Sequence, residues 1–291
     1  MSSISNTVGT PAGKPMQSTD YAFTEITSFE FTRQVSIEDD TTPACQLWAK
    51  TVEAYISHAG TTILAWGRVV ESPQVIKLVV DWKSLESRKD FTSSRELVKL
   101  RSQWHCGSTP FQSRTTSLFA LPSYAPTRRN VFALPSRFSE RCVSVLLTFR
   151  FSPSYDPSAI DENDEASTAP RTKQIVFENL WAALSRAALQ SDGGVISSSG
   201  AQGWYVEENE NDKGQTKSFI GIFRFKDLES AHTFFDPQRN RDTHDEGVIG
   251  KMRGIADAGF EIEYVRMIGE KGSEPPFEAR SNPFVGGGKL F

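Results

Sequence analysis

The chain has 291 residues, enough for one large or two ordinary domains, and a formal net charge of -4 with both signs mixed along it. That balance excludes a broad nucleic-acid surface, and no apolar run is long enough to span a bilayer. Cys45, Cys106 and Cys142 are odd in number and widely spaced, which argues against a disulfide framework or a structural zinc site and for reduced thiols in a cytoplasmic protein.

Residues 1–19 are polar and lack the basic start and apolar core of a secretory signal, so they read as a mobile tail. Phe23 to Arg33 predicts the first strand, with Phe23, Glu25, Thr27, Phe29 and Phe31 on one face and Ile26 on the other. Thr42-Pro43 opens a helix, with Thr42 as N-cap. Cys45, Trp48, Val52, Tyr55 and Ile56 then recur at helical spacing until Gly60. Thr62 to Glu71 predicts the second strand, with Leu64, Trp66, Arg68 and Val70 on one face and Ile63, Ala65, Gly67 and Val69 on the other. Ser72-Pro73 turns the chain into Gln74 to Trp82, which makes an antiparallel hairpin. A second helix starts near Ser84 and carries Leu85, Phe91, Leu97 and Val98.

The stretch 108–140 is irregular. It holds Phe119-Ala120-Leu121-Pro122-Ser123 and again Phe132-Ala133-Leu134-Pro135-Ser136, one of which is expected to supply a closing strand. Cys142 to Phe151 alternates, with Val143, Val145, Leu147, Phe149 and Phe151 on one side. Residues 152–170 are acidic and read as a flexible loop. Gln174 to Gln190 is helical, with Phe177, Leu180, Trp181, Leu184 and Ala188 on one stripe. Gln202 to Glu208 and Lys217 to Phe225 predict another hairpin, and Asp227 to Phe235 a helix. A polar insertion follows at 236–245, then a helix from Gly247 to Ala258, a strand from Phe260 to Ile268 and a loose tail over 270–291.

One pattern occurs twice. Trp82-Lys83-Ser84-Leu85-Glu86-Ser87 precedes Phe91, and Phe225-Lys226-Asp227-Leu228-Glu229-Ser230 precedes Phe234, each between a strand and a helix. The element order is β-α-β-β-α-β given twice, the ferredoxin-like pattern, over residues 20–140 and 141–269. A sheet with helices on one face leaves the other face bare, and two bare faces in one chain can pack together and close a barrel. The expected fold class is therefore α+β, two tandem ferredoxin-like units closed on each other around an aromatic chamber.

The runs Phe23-Thr24-Glu25-Ile26-Thr27-Ser28-Phe29, Ala65-Trp66-Gly67-Arg68-Val69-Val70-Glu71-Ser72-Pro73 and Leu78-Val79-Val80-Asp81-Trp82-Lys83-Ser84-Leu85-Glu86-Ser87 resemble the dimeric α/β-barrel superfamily. They are most similar to antibiotic-biosynthesis-monooxygenase-like proteins in the tandem form common in fungi. The resemblance spans residues 20–105 and, more loosely, 142–268. It implies an intrachain dimeric α/β barrel. It also implies one of several activities: cofactor-independent quinol or anthrone monooxygenase, polyketide cyclase, heme-degrading enzyme or decarboxylase. Fold does not choose among them.

The candidate chemistry has a plainer reading beside each functional one. Arg68, on the face of Trp66, could bind a phenolate, enolate or carboxylate, or be a rim arginine whose stem covers Trp66. His58 could be a general base, or a C-terminal helix cap. His105 could stand at the barrel mouth, or be a loop histidine. His232 is expected to be buried between helix and sheet, and His244 solvated. Trp66 and Trp204, with Tyr55 and Phe223, are the candidate aromatic walls. For Tyr55, as for Trp48 and Trp181, core packing is the stronger reading. No phosphate-binding glycine loop, metal-ligand spacing or Gly-x-Ser-x-Gly elbow occurs, so no cofactor is indicated.

The expectation is a cofactor-independent enzyme of secondary metabolism acting on an apolar, conjugated, polyketide-like metabolite. It would work by monooxygenation, or by cyclisation or isomerisation through a stabilised anion. The alternative is a non-catalytic protein of the same fold, one that carries a hydrophobic ligand or heme or one whose space between the sheets is packed shut. A chain holding both halves is expected to be a monomer or weak homodimer, with no nucleic-acid or membrane partner.

Overall fold

The computed structural model describes residues 23–105, 111–120, 142–160, 171–191, 201–205, 217–235 and 247–272. The N-terminal tail, the second Phe-Ala-Leu-Pro-Ser run, residues 161–170, the 236–245 insertion with His244 and the tail after Gly272 lie outside the described residues.

The first half runs β1 (Phe23–Phe31), α1 (Pro43–Ser57), β2 (Thr61–Val69), β3 (Val75–Trp82), α2 (Leu85–Ser93), α3 (Arg95–His105) and β4 (Phe111–Ala120). The second runs β5 (Val143–Phe151), α4 (Lys173–Gln190), β6 (Ala201–Tyr205), β7 (Lys217–Phe225), α5 (Leu228–Phe235), α6 (Val248–Ile255) and β8 (Gly259–Gly272). Local chemistry sets the helix starts. Thr42 and Thr172 cap α1 and α4 by accepting hydrogen bonds from the Cys45 and Ile175 amides. The repeated motif fills matching places: Trp82 and Phe225 end their strands, and Ser84 and Asp227 accept from the Ser87 and Ser230 amides at the helix starts. Phe91 and Phe234 are then buried.

The single helix expected after Ser84 is two helices. Ser94 ends α2, its amide donating to the Phe91 carbonyl, and its hydroxyl then accepts from the Leu97 amide to begin α3. The break turns Leu97 inward and leaves Val98 55% exposed.

The strands form one closed barrel in the order β1-β3-β2-β8-β5-β7-β6-β4, every neighbouring pair antiparallel. The first four strands lie as β4-β1-β3-β2 and the last four as β8-β5-β7-β6, the same order counted from each half's own first strand. The halves meet along two seams. Among the described residues β2 and β8 share seven register pairs, and β4 and β6 pair through Phe119 with Tyr205 and Ala120 with Trp204.

The helices cover the outside of the barrel, and the bulky side chains face them. One aromatic core joins α1 to α3 to the first sheet, and another joins α4 to α6 to the second. Between the sheets lies a thin layer of short aliphatics: Ile26, Ala65, Val69 and Val79 against Leu146, Ile220, Ile222 and Val265. An eight-stranded barrel has room for little more. Polar pairs flank this layer. Lys77 Nζ lies 2.7 Å from the Glu263 carboxylate and 2.9 Å from Ser28 Oγ, and Thr24 donates to Asp81. The aromatic chamber expected between the sheets is therefore not there. Strand alternation identifies which side chains share a face, and here the large face packs on helices.

Candidate functional site

Trp66, Arg68 and Trp204 lie in the helix layers and not between the sheets. Trp66 packs edge-on to Trp48 of α1, with ring centres 5.5 Å apart. Arg68 Nε and Nη2 grip both Glu38 carboxylate oxygens at 2.5 and 2.8 Å; Arg68 also donates to the carbonyls of Pro73 and Val35. It clamps the β1–α1 connection. Burial disfavours the Glu38 carboxylate, but Arg68's hydrogen bonds and charge outweigh it and hold the group below the usual range. Trp204 donates to Glu178 at 3.0 Å and packs on Phe151, Phe177 and Phe219. Phe223 stacks on Trp181, centroids 4.9 Å apart.

The histidines are scattered. His58 caps the end of α1, its Nδ1 accepting from the Gly60 amide at 3.1 Å and its ring lying edge-on to Trp82. His105 ends α3, and its side chain lies outside the described residues. His232, expected to be buried, is about half exposed; it sits 3.8 Å from Glu71 and edge-on to Tyr264 on the outer surface. The structure does not bring His58, Arg68 and the expected aromatic walls together.

It does bring another group together. A cavity of about 70 Å³ lies between β1, β4, α1 and α3, lined by Phe29, Thr51, Tyr55, Leu97, Leu100, Arg101, Trp104, Phe111 and Arg114. Of the residues proposed from sequence, Tyr55 lies on its wall. Behind Tyr55 stands Glu25, with no solvent exposure. Its Oε2 accepts from Arg88 Nε at 2.8 Å and Trp82 Nε1 at 3.1 Å. Its Oε1 accepts from Thr27 at 2.9 Å, Arg114 at 3.3 Å and the Tyr55 hydroxyl at 3.5 Å. Arg114 Nη2 also donates to Tyr55 Oη at 2.9 Å. A bare carboxylate could not sit there; two guanidiniums and an indole N–H make it tolerable. Burial, and next the charge of Glu25, push the Tyr55 phenol far above its usual range, so it stays a neutral hydroxyl.

Above Tyr55 the wall is cationic. The Nε groups of Arg101 and Arg114 are buried without an acceptor. Burial, and next the like charge of Arg114, pull the Arg101 guanidinium below its usual value. Trp104 closes the cavity from α3, donating to Thr51 Oγ1 at 3.1 Å.

The second half carries no counterpart of this network among the described residues. Register makes the comparison residue by residue. Glu25 pairs with Val80 of β3, and Val145 pairs with Phe223 of β7, so Val145 stands where Glu25 does. Arg114 is opposite Phe29, and Phe260 is opposite Phe149. Thr116 is opposite Thr27, and Ile262 is opposite Leu147. Arg88 and Ala231 hold the same place after the repeated motif. Phe260 lies against Phe149 at 4.7 Å, and Trp181 fills the space over Gly221.

Glu25 and Arg114 were missed from the sequence. The signal for Glu25 was present, a carboxylate on a strand face that otherwise holds three phenylalanines and a threonine; Arg114 sat in a stretch with no readable period. Among the described residues no histidine, cysteine or methionine lines the cavity. Tyr55, which could ligate iron, is bonded to Arg114 and Glu25, so the described lining does not fit heme. Among the described residues no cluster of His, Cys, Asp and Glu is arranged to hold a metal ion. No described helix is long and apolar enough to cross a membrane.

No family model matches the chain, and no curated protein matches it. Solved structures do. An anthrone oxidase-like protein superposes with a TM-score of 0.56 at 13% identity, covering 88% of this chain and 94% of that one. A candidate chlorite dismutase superposes at 0.50 with 10% identity, covering 86% and 95%. A candidate monooxygenase of Fusobacterium nucleatum gives 0.49 at 7% identity, covering 87% and 95%. At such identities the likeness is one of fold alone.

Proposed function

We propose that the chain is a cofactor-independent enzyme of the monooxygenase type, two ferredoxin-like units in tandem, acting on an apolar conjugated small molecule in the cavity of its first half. The observation that carries this reading is the joining of a largely aromatic chamber to the buried Arg114–Tyr55–Glu25 chain. Aromatic walls exclude water and align a flat ligand, while Arg114, and Tyr55 on giving up its long 3.5 Å bond to Glu25, can donate to a ligand oxygen. Glu25 is saturated by five donors, so its part is to orient Arg114 and Tyr55 and not to move protons.

A conjugated carbonyl compound that gives up a proton to water from a methylene carbon conjugated with the carbonyl becomes an electron-rich enolate, and donors placed at its oxygen favour that form. Dioxygen is the oxidant. One of its atoms becomes a carbonyl oxygen on the methylene carbon, and the other leaves as water with the two hydrogens. The four-electron oxidation of carbon matches the four-electron reduction of dioxygen. Without dioxygen, the same enolate would cyclise or isomerise. The anthrone oxidase-like protein among the solved structures of this fold is in keeping with the oxygenation arm.

The test is incubation with anthrones and related phenolic ketones under air and under argon, following dioxygen uptake and product mass. Air-dependent gain of one carbonyl oxygen supports the reading, and Tyr55→Phe should lower kcat/KM about 10- to 100-fold. Equal turnover under argon replaces oxygenation with cyclisation or isomerisation. Turnover unaffected by both Tyr55→Phe and Arg114→Met would place the chemistry elsewhere.

A further inference from the structure

We propose that the cavity takes its ligand as a monoanion, an ionised phenol, enol or carboxylate on a planar carbon frame, with the negative oxygen met by Arg101 and Arg114. This rests on the reading of the cavity as the ligand site and adds the charge state of what enters.

Three guanidiniums gather around the site, those of Arg88, Arg101 and Arg114, against a single carboxylate, Glu25. Both oxygens of Glu25 are taken, one by Arg88 and Trp82, the other by Thr27, Arg114 and Tyr55. Among the described residues, the groups that act most on Arg101 include no carboxylate besides Glu25. Thr51 of α1 is used by Trp104 and by the Leu47 carbonyl, and Tyr55 is neutral. The groups acting on Arg101 are Arg114, Tyr55, Glu25 and Arg88, two of them cations.

Two N–H groups are left over, Nε of Arg101 and Nε of Arg114, both buried and without an acceptor. Both residues line the cavity. A buried, unsatisfied, charged donor is costly, and the cost is removed by whatever brings an acceptor with negative charge. The remaining walls, Phe29, Leu97, Leu100, Trp104 and Phe111, suit a flat apolar frame behind that oxygen. The chain confines this arrangement to one half, since Val145 and Phe260 occupy the places of Glu25 and Arg114 in the other.

The probe is 4-nitrophenol, whose ionised form is coloured, with 4-nitroanisole as the uncharged analogue of the same shape. Binding to the full-length protein is followed by difference absorbance and calorimetry at neutral pH. The phenolate is expected to bind at least tenfold more tightly than the anisole, and the bound phenol to ionise at least one pH unit lower than the free one. Arg101→Met should remove most of that preference, and Arg101→Lys should retain part of it. Melting curves of both variants report folding; if Arg101→Met is unfolded, Arg101→Lys and the two-ligand comparison on the unaltered protein still decide. Equal affinity for phenolate and anisole overturns the anion assignment and leaves the cavity as a ligand site. Failure of both ligands to bind overturns the reading of the cavity itself, and the assignment with it.

Discussion

Replacing Glu25 by Val tests the account of the site's wall, because the protein has already made that wall without charge. Val145 stands in the matching register position of the second half, beside Ala231 where the first half has Arg88. In the single variant Glu25→Val, Arg88 loses its 2.8 Å carboxylate partner while remaining 7% exposed, and Trp82 and Arg114 each lose an acceptor. Breaking a buried pair by removing one partner costs about 3–5 kcal/mol, a large part of a typical folding free energy of about 5–15 kcal/mol. The double variant Glu25→Val/Arg88→Ala removes the Arg88 charge as well. It should recover at least about 1 kcal/mol of the loss, the scale of coupling between contacting residues. Urea unfolding of the unaltered protein, both single variants and the double variant closes the cycle. A Glu25→Val protein within about 0.5 kcal/mol of the original, the range of an ordinary surface change, would refute the claim that Arg88 depends on this carboxylate.

Three further outcomes follow from particular contacts. Arg68→Met should destabilise by about 1–3 kcal/mol, through loss of charge-assisted bonds to Glu38 and the loop carbonyls, yet leave nitrophenolate affinity unchanged. Because Glu38 titrates below its usual range, its contribution is present above the ordinary carboxylate pKa and is lost as pH falls through the lowered one; thermal melts on the acid side should show a shallower slope in Arg68→Met. Gly221→Ala places a Cβ 1.9 Å from Trp181 Cη2 and should cost about 1–3 kcal/mol in chemical denaturation, with Trp181→Leu relieving part of it. On the alkaline side, burial raises both Tyr55 and Tyr264, the latter to about 12 with Glu71 adding to the effect. Stability from these phenols is whole below about pH 10 and is lost as pH rises towards their folded values, so Tyr55→Phe/Tyr264→Phe should flatten the alkaline decline of the melting temperature.

The order of elements was legible because it rests on local rules. Thr42 before Pro43 and the twice-used Lys-x-Leu-Glu-Ser run mark helix starts that the structure places where the spacing puts them. The division of α2 from α3 was not legible, since Ser94 sits in an unbroken polar run and caps both helices through its own hydroxyl and amide. The orientation of the sheets was not legible either. Trp66 and Arg68 do share a face with Leu64, as alternation requires, but which face meets helices depends on volume: rings fit between sheet and helix, and only short side chains fit inside eight strands. Tyr55 was read both as core and as a binding wall, and it is a buried residue that lines the cavity. Arg114 belongs to a strand whose Ser and Thr residues carry no apolar period, and only its pairing with β1 sets it beside Glu25.

One strand does two jobs at once. β4 runs alongside β1 from Phe31 opposite Phe111 to Phe23 opposite Ala120, and it also carries Phe111 and Arg114 to the chamber. A slip of one residue along that ladder would turn both side chains to the opposite face of the sheet. The shape offered to a guest is therefore coupled to the register of a strand that also helps to close the barrel.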